Sequence, residues 1–485
     1  MAFSAVPLPQ DQSSENIGLQ LTLLCAAQRQ ASLREGPPEY ARRRENLNTL
    51  LELTLANEQR IADTISQDFG HRSRFETALA EIFVVISGIK HASRNLKRWM
   101  RPRRVPTALY FWPGKSEIVP QPLGVVGIIS PWNYPFYLSF SPLTSALAAG
   151  NRVVLKPSEL TPNTSELFRE MVASAFAPNE FAVVTGGSEV GQALSKAPLD
   201  HLFFTGSTKV GRQVAIAAAH NLTPVTLELG GKSPALVSDD YPIAQAAERI
   251  VIGKMLNCGQ TCIAPDYVFV PESKLDEFVA AVRTATAKLY PTIGQNPDYT
   301  SIISQRHLDH LTGFVEDARQ RGAKIIEINP GNESLLRDTR KMPLHLVVNP
   351  PDGSTVMQEE IFGPILPVLS YRSLDQAISY LNSHPRPLAL YWFGNHPATR
   401  DRVLRQTVSG GVTVNDTLWH ICQENLPFGG VGQSGIGSSH GIYGFRTFSK
   451  EKGVFYQAKW AGARLFNPPF GKTAKRTLSI LRRIV

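Results

Sequence analysis

The sequence predicts an α/β protein with two lobes, each built around a mostly parallel β-sheet. Short apolar runs with the length of buried strands alternate with helical segments between residues 125 and 392, and this alternation is typical of sheets covered by helices on both faces. The chain has 485 residues, more than one hydrophobic core usually contains. Its 42% hydrophobic and 19% charged content lies in the range of soluble globular proteins.

The segment that precedes the first lobe is predicted to be helical. From about residue 39 to residue 99 the spacing of apolar residues, with few glycines or prolines, indicates two or three amphipathic helices that end before Pro102 and Pro106. Residues 109–119 alternate roughly between apolar and polar and contain Pro113-Gly114. This pattern predicts a hairpin that projects from the body of the protein.

Two sets of strands are expected after this hairpin. The first set falls at residues 125–129, 152–155, 181–184, 201–204 and 225–229. The second set falls at residues 235–237, 267–270, 324–328, 344–348, 365–369 and 388–392. The glycine-rich end of the chain, from Gly410, is expected to return and join the two lobes.

The net charge of +9 comes partly from clusters at residues 94–104 and 472–483. Neither cluster has the interleaved aromatic residues typical of nucleic-acid binding, so we expect solvated surfaces and no nucleic-acid partner. The tail spaces Leu478, Ile480, Leu481 and Ile484 like one apolar helix face. We expect that face to pack on the protein itself, with weak contact to an anionic membrane surface as the alternative.

Cysteine usage and the N-terminus bear on the compartment. Four cysteines, Cys25, Cys258, Cys262 and Cys422, are too few and too scattered for a disulfide framework, which is typical of a reducing compartment. The first residues lack a basic segment followed by an apolar run, and the longest apolar stretches are too short to span a bilayer. A cytoplasmic protein is expected.

The segment NCGQTCIAPD at residues 257–266 is the most informative for chemistry. Backbone N–H groups of its Gly-Gln turn would lower the pKa of the Cys262 thiol and make it a nucleophile. On these residues alone, a buried and unreactive cysteine is the alternative, and we assign Cys258 to that class. No Cys or His pair lies nearby to complete a tetrahedral site, so no metal is predicted.

Two further segments offer partners for a nucleophile. In LELGGKSP at residues 227–234, Glu228 ends an apolar strand, and apolar neighbours would raise its pKa enough for a general base near neutrality. An exposed glutamate at a strand end is the alternative. In SPWNYPF at residues 130–136, Asn133 follows a strand on a rigid turn, where its amide could donate to an oxyanion.

Two glycine-rich segments are candidates for a dinucleotide site. GVGQSG at residues 430–435 matches G-x-G-x-x-G, but no strand precedes it and no strand-borne acid follows about twenty residues later, so we reject it. GSTKVG at residues 206–211 directly follows a strand and opens a helix, so its N–H groups can face a pyrophosphate. It lacks the Gly-Lys-Ser/Thr ending of a triphosphate loop and indicates an atypical dinucleotide site.

Together these segments resemble the aldehyde dehydrogenase superfamily along nearly the whole chain, in the same order and at similar separations. The resemblance rests on PWNYPF at 131–136, LKPSE at 155–159, FTGSTKVG at 204–211, LELGGKSP at 227–234, NCGQTCIAPD at 257–266, EEIFGP at 359–364 and LPFGGVGQSGIG at 426–437. Within the superfamily, NDTLWH at 415–420, the segment 428–445 and NPPFGK at 467–472 resemble the class 3 group, and within it the bacterial coniferyl aldehyde dehydrogenases.

The resemblance implies a domain organisation. It assigns residues 1–105 and 123–230 to N-terminal helices and a Rossmann-type NAD(P)-binding domain, and residues 231–412 to an α/β catalytic domain. Residues 106–122 and 438–460 would form a β-hairpin oligomerisation arm, and residues 461–485 a basic tail. It also implies a homodimer and, as substrate, an aromatic aldehyde such as coniferaldehyde or a medium-chain to long-chain aliphatic one.

The resemblance also implies roles for single residues. Cys262 would be the nucleophile, Glu228 the base for the hydrolytic water, and Asn133 with the Cys262 N–H group the oxyanion donors. NAD, and in some members NADP, would be the cofactor; its contacts would be Trp132, Lys156, Glu159, Gly206, Ser207, Gly211, Leu229, Glu360 and Phe362. Among these, Lys156 and Glu159 would meet the adenosine ribose, and the Glu159 charge would disfavour a 2′-phosphate. The substrate pocket would be lined by Tyr134, Trp419, His420 and Phe428, any of which could instead pack the lobe interface.

Three other functions are consistent with parts of this pattern. A thiol hydrolase would need a Cys-His pair and no cofactor site, whereas the sequence offers a glutamate base and a cofactor set. A coenzyme A-acylating dehydrogenase keeps the cysteine but usually lacks the glutamate. A binding protein on the same fold would need neither Cys262 nor Glu228.

Overall fold

The computed structural model of the protein describes residues 14–460 and 467–484. Parts of two predicted segments, residues 1–13 of the N-terminal region and residues 461–466 and 485 of the tail, lie outside the described residues.

Helices make up the start of the described chain and cover the sheets that follow. Their bounds are α1 Ser14–Glu35, α2 Tyr40–Ala56, α3 Glu58–Phe69, α4 Arg74–Thr77, α5 Val84–Trp99, α6 Tyr137–Ala149, α7 Pro162–Ala173, α8 Ser188–Ser195, α9 Thr208–Ala219, α10 Ile243–Met255, α11 Leu275–Leu289, α12 Gln305–Gln320, α13 Thr355–Gln358, α14 Leu374–Ser383, α15 Pro397–Gln406, α16 Gly441–Thr447 and α17 Lys472–Ile484. A π-helical turn, Ala78–Phe83, joins α4 to α5.

The predicted helical region over residues 39–99 is present as α2 to α5, but α1 was not predicted. Helix α1 packs on the first sheet, where Leu21 and Cys25 are both buried. The amide of Gln28 donates to the carbonyl oxygens of Val153 and Pro178, at 3.0 Å each. These contacts are all distant in sequence, which is why the local pattern did not indicate them.

The strands of the described residues form three sheets. Their bounds are β1 Arg103–Val105, β2 Lys115–Pro122, β3 Val125–Ile129, β4 Arg152–Lys156, β5 Phe181–Val183, β6 His201–Thr205, β7 Val225–Glu228, β8 Pro234–Val237, β9 Tyr267–Pro271, β10 Lys324–Ile328, β11 Leu344–Val348, β12 Ile365–Tyr371, β13 Ala389–Phe393, β14 Gly411–Val414, β15 Gly435–Ile436 and β16 Ser449–Tyr456.

The first lobe contains a sheet with the order β15-β7-β6-β3-β4-β5. Its pairs are parallel except that β15 is antiparallel to β7. The strand order reverses at β3, because β4 and β5 lie on one side of it and β6 and β7 on the other. Ligands of open α/β sheets bind at the carboxyl ends of the strands beside such a reversal.

The second lobe contains a sheet with the order β10-β11-β12-β9-β8-β13-β14, parallel except for the pair of β10 with β11. The two-lobed α/β fold predicted from the sequence is therefore confirmed. Segment 430–435, which we rejected as a dinucleotide fingerprint, ends in β15, and this strand closes the edge of the first sheet beside β7.

The projecting arm differs from the predicted hairpin. Residues 109–119 do not form two strands, because Leu109–Phe111 is a 3-10 helix. Strand β2 instead pairs on one side with β1 and on the other with β16, both antiparallel. The partner β16 lies more than 300 residues further along the chain, so the local alternation could not indicate it.

The basic tail forms helix α17, with Ala474 buried, Leu478 45% exposed and Ile480 58% exposed. The predicted packing on the protein body is therefore wrong for Leu478 and Ile480, whereas Leu481 is half-buried. The side chain of Ile484 lies outside the described residues. At 100° per residue, Ile480 points about 120° away from Ala474 and cannot share its face. Within the described chain, no helix is long and apolar enough to cross a membrane.

Candidate active site

The turn that carries Cys262 lies between α10 and β9 and has an unusual backbone. Asn257, Cys258 and Gly259 have φ values of 53°, 53° and 77° in succession, in the left-handed region that is costly for side chains other than glycine. A Cβ atom on Gly259 would overlap the carbonyl oxygen of Gly363. The turn therefore lies directly against the EEIFGP segment, and its shape is fixed by that contact.

Cys262 opens into a small cavity of about 30 Å³ that it shares with Glu228. Burial, together with the carboxylates of Glu360 and Glu228, raises the pKa of Cys262 to about 12, and the N–H groups of Cys262 and Ile263 offset only part of this. The pKa of Cys262 is therefore raised overall, and the prediction that the turn lowers it is wrong. Because the thiolate is the nucleophile, the thiol must lose its proton to a base during the reaction.

Glu228 ends strand β7, where Gly435 of β15 pairs with it. Its side chain is buried, and neither carboxyl oxygen has a hydrogen-bond partner among the described residues. Burial raises the pKa of Glu228 to about 8. The pKa of Glu228 is thus close to neutral pH, as its apolar neighbours in the sequence predicted. Its carboxyl lies in the same cavity as the Cys262 thiol.

Asn133 follows β3 and is buried against the turn of the nucleophile. Its Nδ2 donates to the carbonyl oxygen of Gln260 at 3.1 Å. In return, Nδ2 of Asn257 donates to the Asn133 carbonyl oxygen at 2.9 Å. An amide nitrogen has two protons, so this arrangement leaves one N–H of Asn133 for a ligand beside Cys262.

Residues predicted to contact the adenosine half of a cofactor lie at the carboxyl edge of the first sheet. Lys156 ends β4, is buried, and donates to the Glu159 carboxylate. Burial acts to raise the pKa of Glu159, but the hydrogen bond and charge of Lys156 outweigh it and hold that pKa below its ordinary value. The side chain of Glu159 is 44% exposed, so it is accessible to a ligand at this edge.

The turn at Gly206 places the N-terminus of α9 at the same edge. The Gly206 N–H donates to the Glu228 carbonyl oxygen at 3.0 Å, and Ser207 caps the helix by accepting from Val210 N–H at 3.4 Å. A Cβ atom on Gly211 would collide with Leu229. The missing side chain thus lets α9 approach the end of β7, and the free N–H groups of α9 can bind an anion.

Three more predicted cofactor contacts lie on the side of Cys262. The rings of Trp132 and Phe362 meet edge to face with 5.4 Å between centroids, and Phe362 has a φ of 55°. Burial and the neighbouring Asp266 charge raise the pKa of Glu360 to about 8, while an N–H from Gly231 opposes this. Its Oε1 atom is buried without a hydrogen-bond partner among the described residues.

These observations fit a dinucleotide. A cavity of about 220 Å³ lies between the N-terminus of α9, at Thr208, and Glu360. A Cβ atom on Gly230 would overlap the Glu360 carboxylate, so glycine is required for that carboxylate to lie over the strand end. A ribose hydroxyl would supply the donor that Glu360 Oε1 lacks, and a pyrophosphate would accept from the α9 N–H groups.

The predicted substrate residues do not all line the cavity of Cys262. Phe428 lines it, while His420 is buried behind Phe428, with 6.0 Å between the stacked rings. Tyr134 is buried and bonds to the Thr261 hydroxyl at 2.7 Å, below the nucleophile's turn. Trp419 is 52% exposed and lies outside this cavity.

Two polar residues of the cavity, Tyr137 and His440, were not predicted from the sequence. The Tyr137 hydroxyl lies 2.6 Å from Nε2 of His440, and both side chains are buried. Burial lowers the pKa of His440 to about 4, so it is neutral at physiological pH. These residues lie 303 positions apart, and the one local signal for them is the class 3 segment 428–445, which contains His440.

Comparison with known proteins identifies the family. The model of the aldehyde dehydrogenase family matches residues 23–454. A Pseudomonas aeruginosa protein named "Probable coniferyl aldehyde dehydrogenase" is 50% identical over 465 residues, or 96% of each chain. The "Coniferyl aldehyde dehydrogenase" of Pseudomonas sp. strain HR199 is 46% identical over 93% of this chain and 94% of its own. The substrate-bound structure of Staphylococcus aureus AldH superposes with a TM-score of 0.89 at 38% identity, covering 95% of this chain and 99% of that one.

The chain therefore belongs to the aldehyde dehydrogenase family and is an aldehyde dehydrogenase enzyme. A relative of plants, "Aldehyde dehydrogenase family 3 member H1" of Arabidopsis thaliana, is 37% identical over 91% of this chain. The predicted family and its Rossmann-type fold are confirmed, and NAD(P) is the cofactor of this family.

Proposed function

We propose that this enzyme oxidises an aldehyde to the carboxylic acid through a covalent thioester on Cys262, with Glu228 as general base and Asn133 as oxyanion donor. One observation carries this assignment: Cys262 and Glu228 share one cavity, and the Asn133 amide donates to the turn that bears the thiol. A nucleophile, a base and an oxyanion donor from three distant segments thus lie close together, as acyl transfer requires.

The first half of the reaction forms the bond to Cys262. The thiol gives up its proton, for which the buried Glu228 carboxylate is the available acceptor, and the sulfur adds to the aldehyde carbon to form a thiohemiacetal. Asn133 and the Cys262 N–H donate to the oxygen that becomes negative. The bound nicotinamide ring supplies the acceptor for the hydride that leaves this carbon, and a thioester remains.

The second half releases the acid. Once Glu228 has passed the thiol proton to solvent, it accepts a proton from water, and the resulting hydroxide adds to the thioester carbon. The same oxyanion donors hold the tetrahedral oxygen, and collapse breaks the carbon–sulfur bond. A base with a pKa of about 8 is strong enough to accept this proton, and a minor fraction of it is ionised near neutral pH.

We propose NAD as the preferred cofactor, with NADP used less efficiently. Lys156 and Glu159 would hold the adenosine ribose, Gly206, Ser207 and the N-terminus of α9 the pyrophosphate, and Glu360 the nicotinamide ribose. A 2′-phosphate would meet the negative charge of Glu159, although its exposed side chain can turn away. In this proposal the first sheet carries the cofactor and the second lobe, residues 231–412, carries the nucleophile.

As substrates we propose aromatic aldehydes such as coniferaldehyde, together with medium-chain to long-chain aliphatic ones. Support comes from the names of the relatives and from the largely apolar lining of the cavity, which includes Leu138, Phe203, Ile421 and Phe428. Such a lining favours apolar substrates over small hydrated aldehydes.

The test is the initial rate of cofactor reduction at 340 nm with coniferaldehyde, benzaldehyde, decanal and acetaldehyde, each with NAD and with NADP. We expect kcat/KM for coniferaldehyde to exceed that for acetaldehyde at least about tenfold and NAD to be preferred. A preference for acetaldehyde would contradict the substrate class, and a preference for NADP would contradict the role of Glu159. No reduction with any aldehyde would overturn the reaction.

We also propose a homodimer that forms through the arm. The arm exposes large apolar side chains, and β16 is an edge strand of its sheet; the exposed side chains are Leu109, Tyr110, Phe111, Trp112, Phe455 and Tyr456. A contiguous apolar surface of this kind is typical of an interface.

The dimer is tested by size-exclusion chromatography with light scattering. The wild type is expected at twice the chain mass of 53.4 kDa, and the double variant Trp112→Arg/Phe455→Arg at one chain mass. Phe75→Arg is the matched control, because Phe75 is 71% exposed but lies on α4, away from the arm. A monomeric wild type, or a double variant that stays dimeric, would contradict the proposal.

A cytoplasmic location is the remaining part of the proposal. All four cysteines lie within the described residues and are free, and Cys422 is exposed. An exposed free thiol is compatible with a reducing compartment.

A further inference from the structure

A buried ion pair lies behind the loop that carries Asn133, and the reaction proposed above does not use it. The side chains of Arg72 and Glu81 are both 0% exposed, with 2.7 Å between NH1 and Oε1. Buried ion pairs contribute little net stability, since desolvation offsets their attraction. Among the described residues, Nε and NH2 of Arg72 also lack hydrogen-bond partners. Stability alone is therefore a weak explanation for this pair.

The pair contacts both ends of the loop that follows β3. Arg72 NH1 donates to the Asn133 carbonyl oxygen at 3.1 Å, and its guanidinium lies 4.8 Å from the centre of the Tyr134 ring. The other carboxylate oxygen of Glu81 accepts from the N–H groups of Phe136 at 2.7 Å and Tyr137 at 3.1 Å. The backbone of residues 133–137 is thus held by one ion pair at its start and at its end.

The backbone around Glu81 is adapted to this contact. Glu81 lies in the π-helical turn Ala78–Phe83 between α4 and α5. A π-helical turn inserts an extra residue into a helix and redirects its side chains, and such turns occur frequently at functional sites. Here the turn carries the Glu81 carboxylate, which is directed into the protein interior against residues 133–137.

A second carboxylate from the same region holds the turn of the nucleophile. Glu76 of α4 accepts from the Asn257 N–H at 3.1 Å and from the Thr300 hydroxyl at 2.6 Å. Since the Asn257 side chain donates to the Asn133 carbonyl, the two loops meet at that one oxygen. The N-terminal helices therefore reach both the oxyanion donor and the turn that bears the thiol.

We propose that the Arg72–Glu81 pair is a positioning element of the active site, which fixes Asn133 so that its amide meets the developing oxyanion. The inference rests on the oxyanion role proposed for Asn133. Within the described part of the chain, neither residue of the pair lines the cavity of Cys262 or the cavity beside Glu360. The pair therefore acts on the rate of the chemical steps and leaves the affinity for NAD unchanged.

The test is a double-mutant cycle on kcat, in which Glu81→Gln is introduced into the wild type and into Asn133→Ala. Asn133→Ala is expected to lower kcat about 10²-fold to 10³-fold. Glu81→Gln in the wild type is expected to lower kcat about 10-fold to 10²-fold, with KM for NAD unchanged. In the Asn133→Ala background the same change is expected to lower kcat less than about twofold, because its target is already absent.

The control is Glu166→Gln, which breaks the Arg169–Glu166 pair on the exposed face of α7 and is expected to leave kcat unchanged. Thermal unfolding is followed for every variant. Should Glu81→Gln fail to fold, the apolar pair Arg72→Met/Glu81→Leu replaces it, because apolar substitution of a buried pair often preserves stability; this variant is expected to fold and to show the same loss of kcat.

Equal loss of kcat from Glu81→Gln in both backgrounds would show a general structural role and overturn the proposal. An unchanged kcat for folded Glu81→Gln would overturn it too. Failure of the underlying mechanism has a different signature, since Asn133→Ala would then retain the wild-type kcat whatever Glu81 does.

Discussion

Replacement of Cys262 by alanine is expected to abolish aldehyde-dependent reduction of NAD, with a loss in kcat on the order of 10⁴-fold or more. The thiol forms the bond to the aldehyde carbon. Among the described residues, the other side chains of the cavity that carry a lone pair are hydroxyl groups and the neutral imidazole of His440, which are weaker nucleophiles than a thiolate. Without the sulfur neither the thiohemiacetal nor the thioester can form. The measurement is the absorbance at 340 nm at saturating aldehyde and NAD.

Cys258→Ala is the matched control for this variant. Cys258 lies four residues earlier on the same left-handed turn, is 1% exposed, and has its pKa raised far above the ordinary value by burial. Its loss is expected to lower the melting temperature, because a small cavity remains in the core, while kcat stays within a few-fold of the wild type. An active Cys262→Ala enzyme, or an inactive but folded Cys258→Ala enzyme, would contradict the assignment of the nucleophile.

Much of the fold could be predicted because its information is local. A buried strand is a short apolar run, and the runs at residues 125–129 and 344–348 have the same bounds in the structure, as does the antiparallel edge strand at residues 324–328. The positions of residues at strand ends could also be predicted from the sequence. Lys156 and Glu228 each end a strand, and the carboxyl ends of parallel strands share one edge.

The remaining features depend on contacts between distant segments. The pattern of α1 gives no indication of its packing on Val153, and the arm pairs β2 with a strand more than 300 residues away. Charge effects are the clearest case. The N–H groups near Cys262 are visible in its local sequence, but the two carboxylates that help to raise its pKa instead come from elsewhere in the chain.

Glu228→Gln is expected to separate the two halves of the reaction. The thiol can then lose its proton only to solvent, so a slowed burst of NADH close to one per active site is expected. The steady-state rate that follows should be lowered about 10²-fold to 10⁴-fold, because hydrolysis depends on the base more strongly. Stopped-flow absorbance at 340 nm measures both phases, and mass spectrometry detects the acyl group on Cys262. A slow variant without a burst would instead place the main effect of Glu228 on removal of the thiol proton.

The pH dependence gives an independent check on Glu228. Since the base works only as a carboxylate, and its pKa is about 8, wild-type kcat should fall as the pH is lowered below about 8. This acid limb should be absent for Glu228→Gln, whose amide does not titrate. The pKa of Glu360 is also about 8, so the variant Glu360→Gln tests which of the two carboxyls causes the acid limb. This variant should change KM for NAD but keep the fall of kcat at low pH.

The same carboxyl links catalysis to stability, with a sign that follows from its raised pKa. Between the ordinary pKa of 4.5 and the folded value of about 8, the folded protein binds a proton that the unfolded chain releases, so this group lowers the free energy of unfolding as pH rises. A tenfold difference in proton affinity between the two states corresponds to about 1.4 kcal/mol, so Glu228→Gln should be more stable than the wild type by a few kcal/mol at pH 9 and by little at pH 5. Denaturant unfolding at both pH values measures this difference. An equal effect of the substitution at the two pH values would mean that Glu228 is ionised throughout, and it would remove the physical reason for a base that works near neutrality.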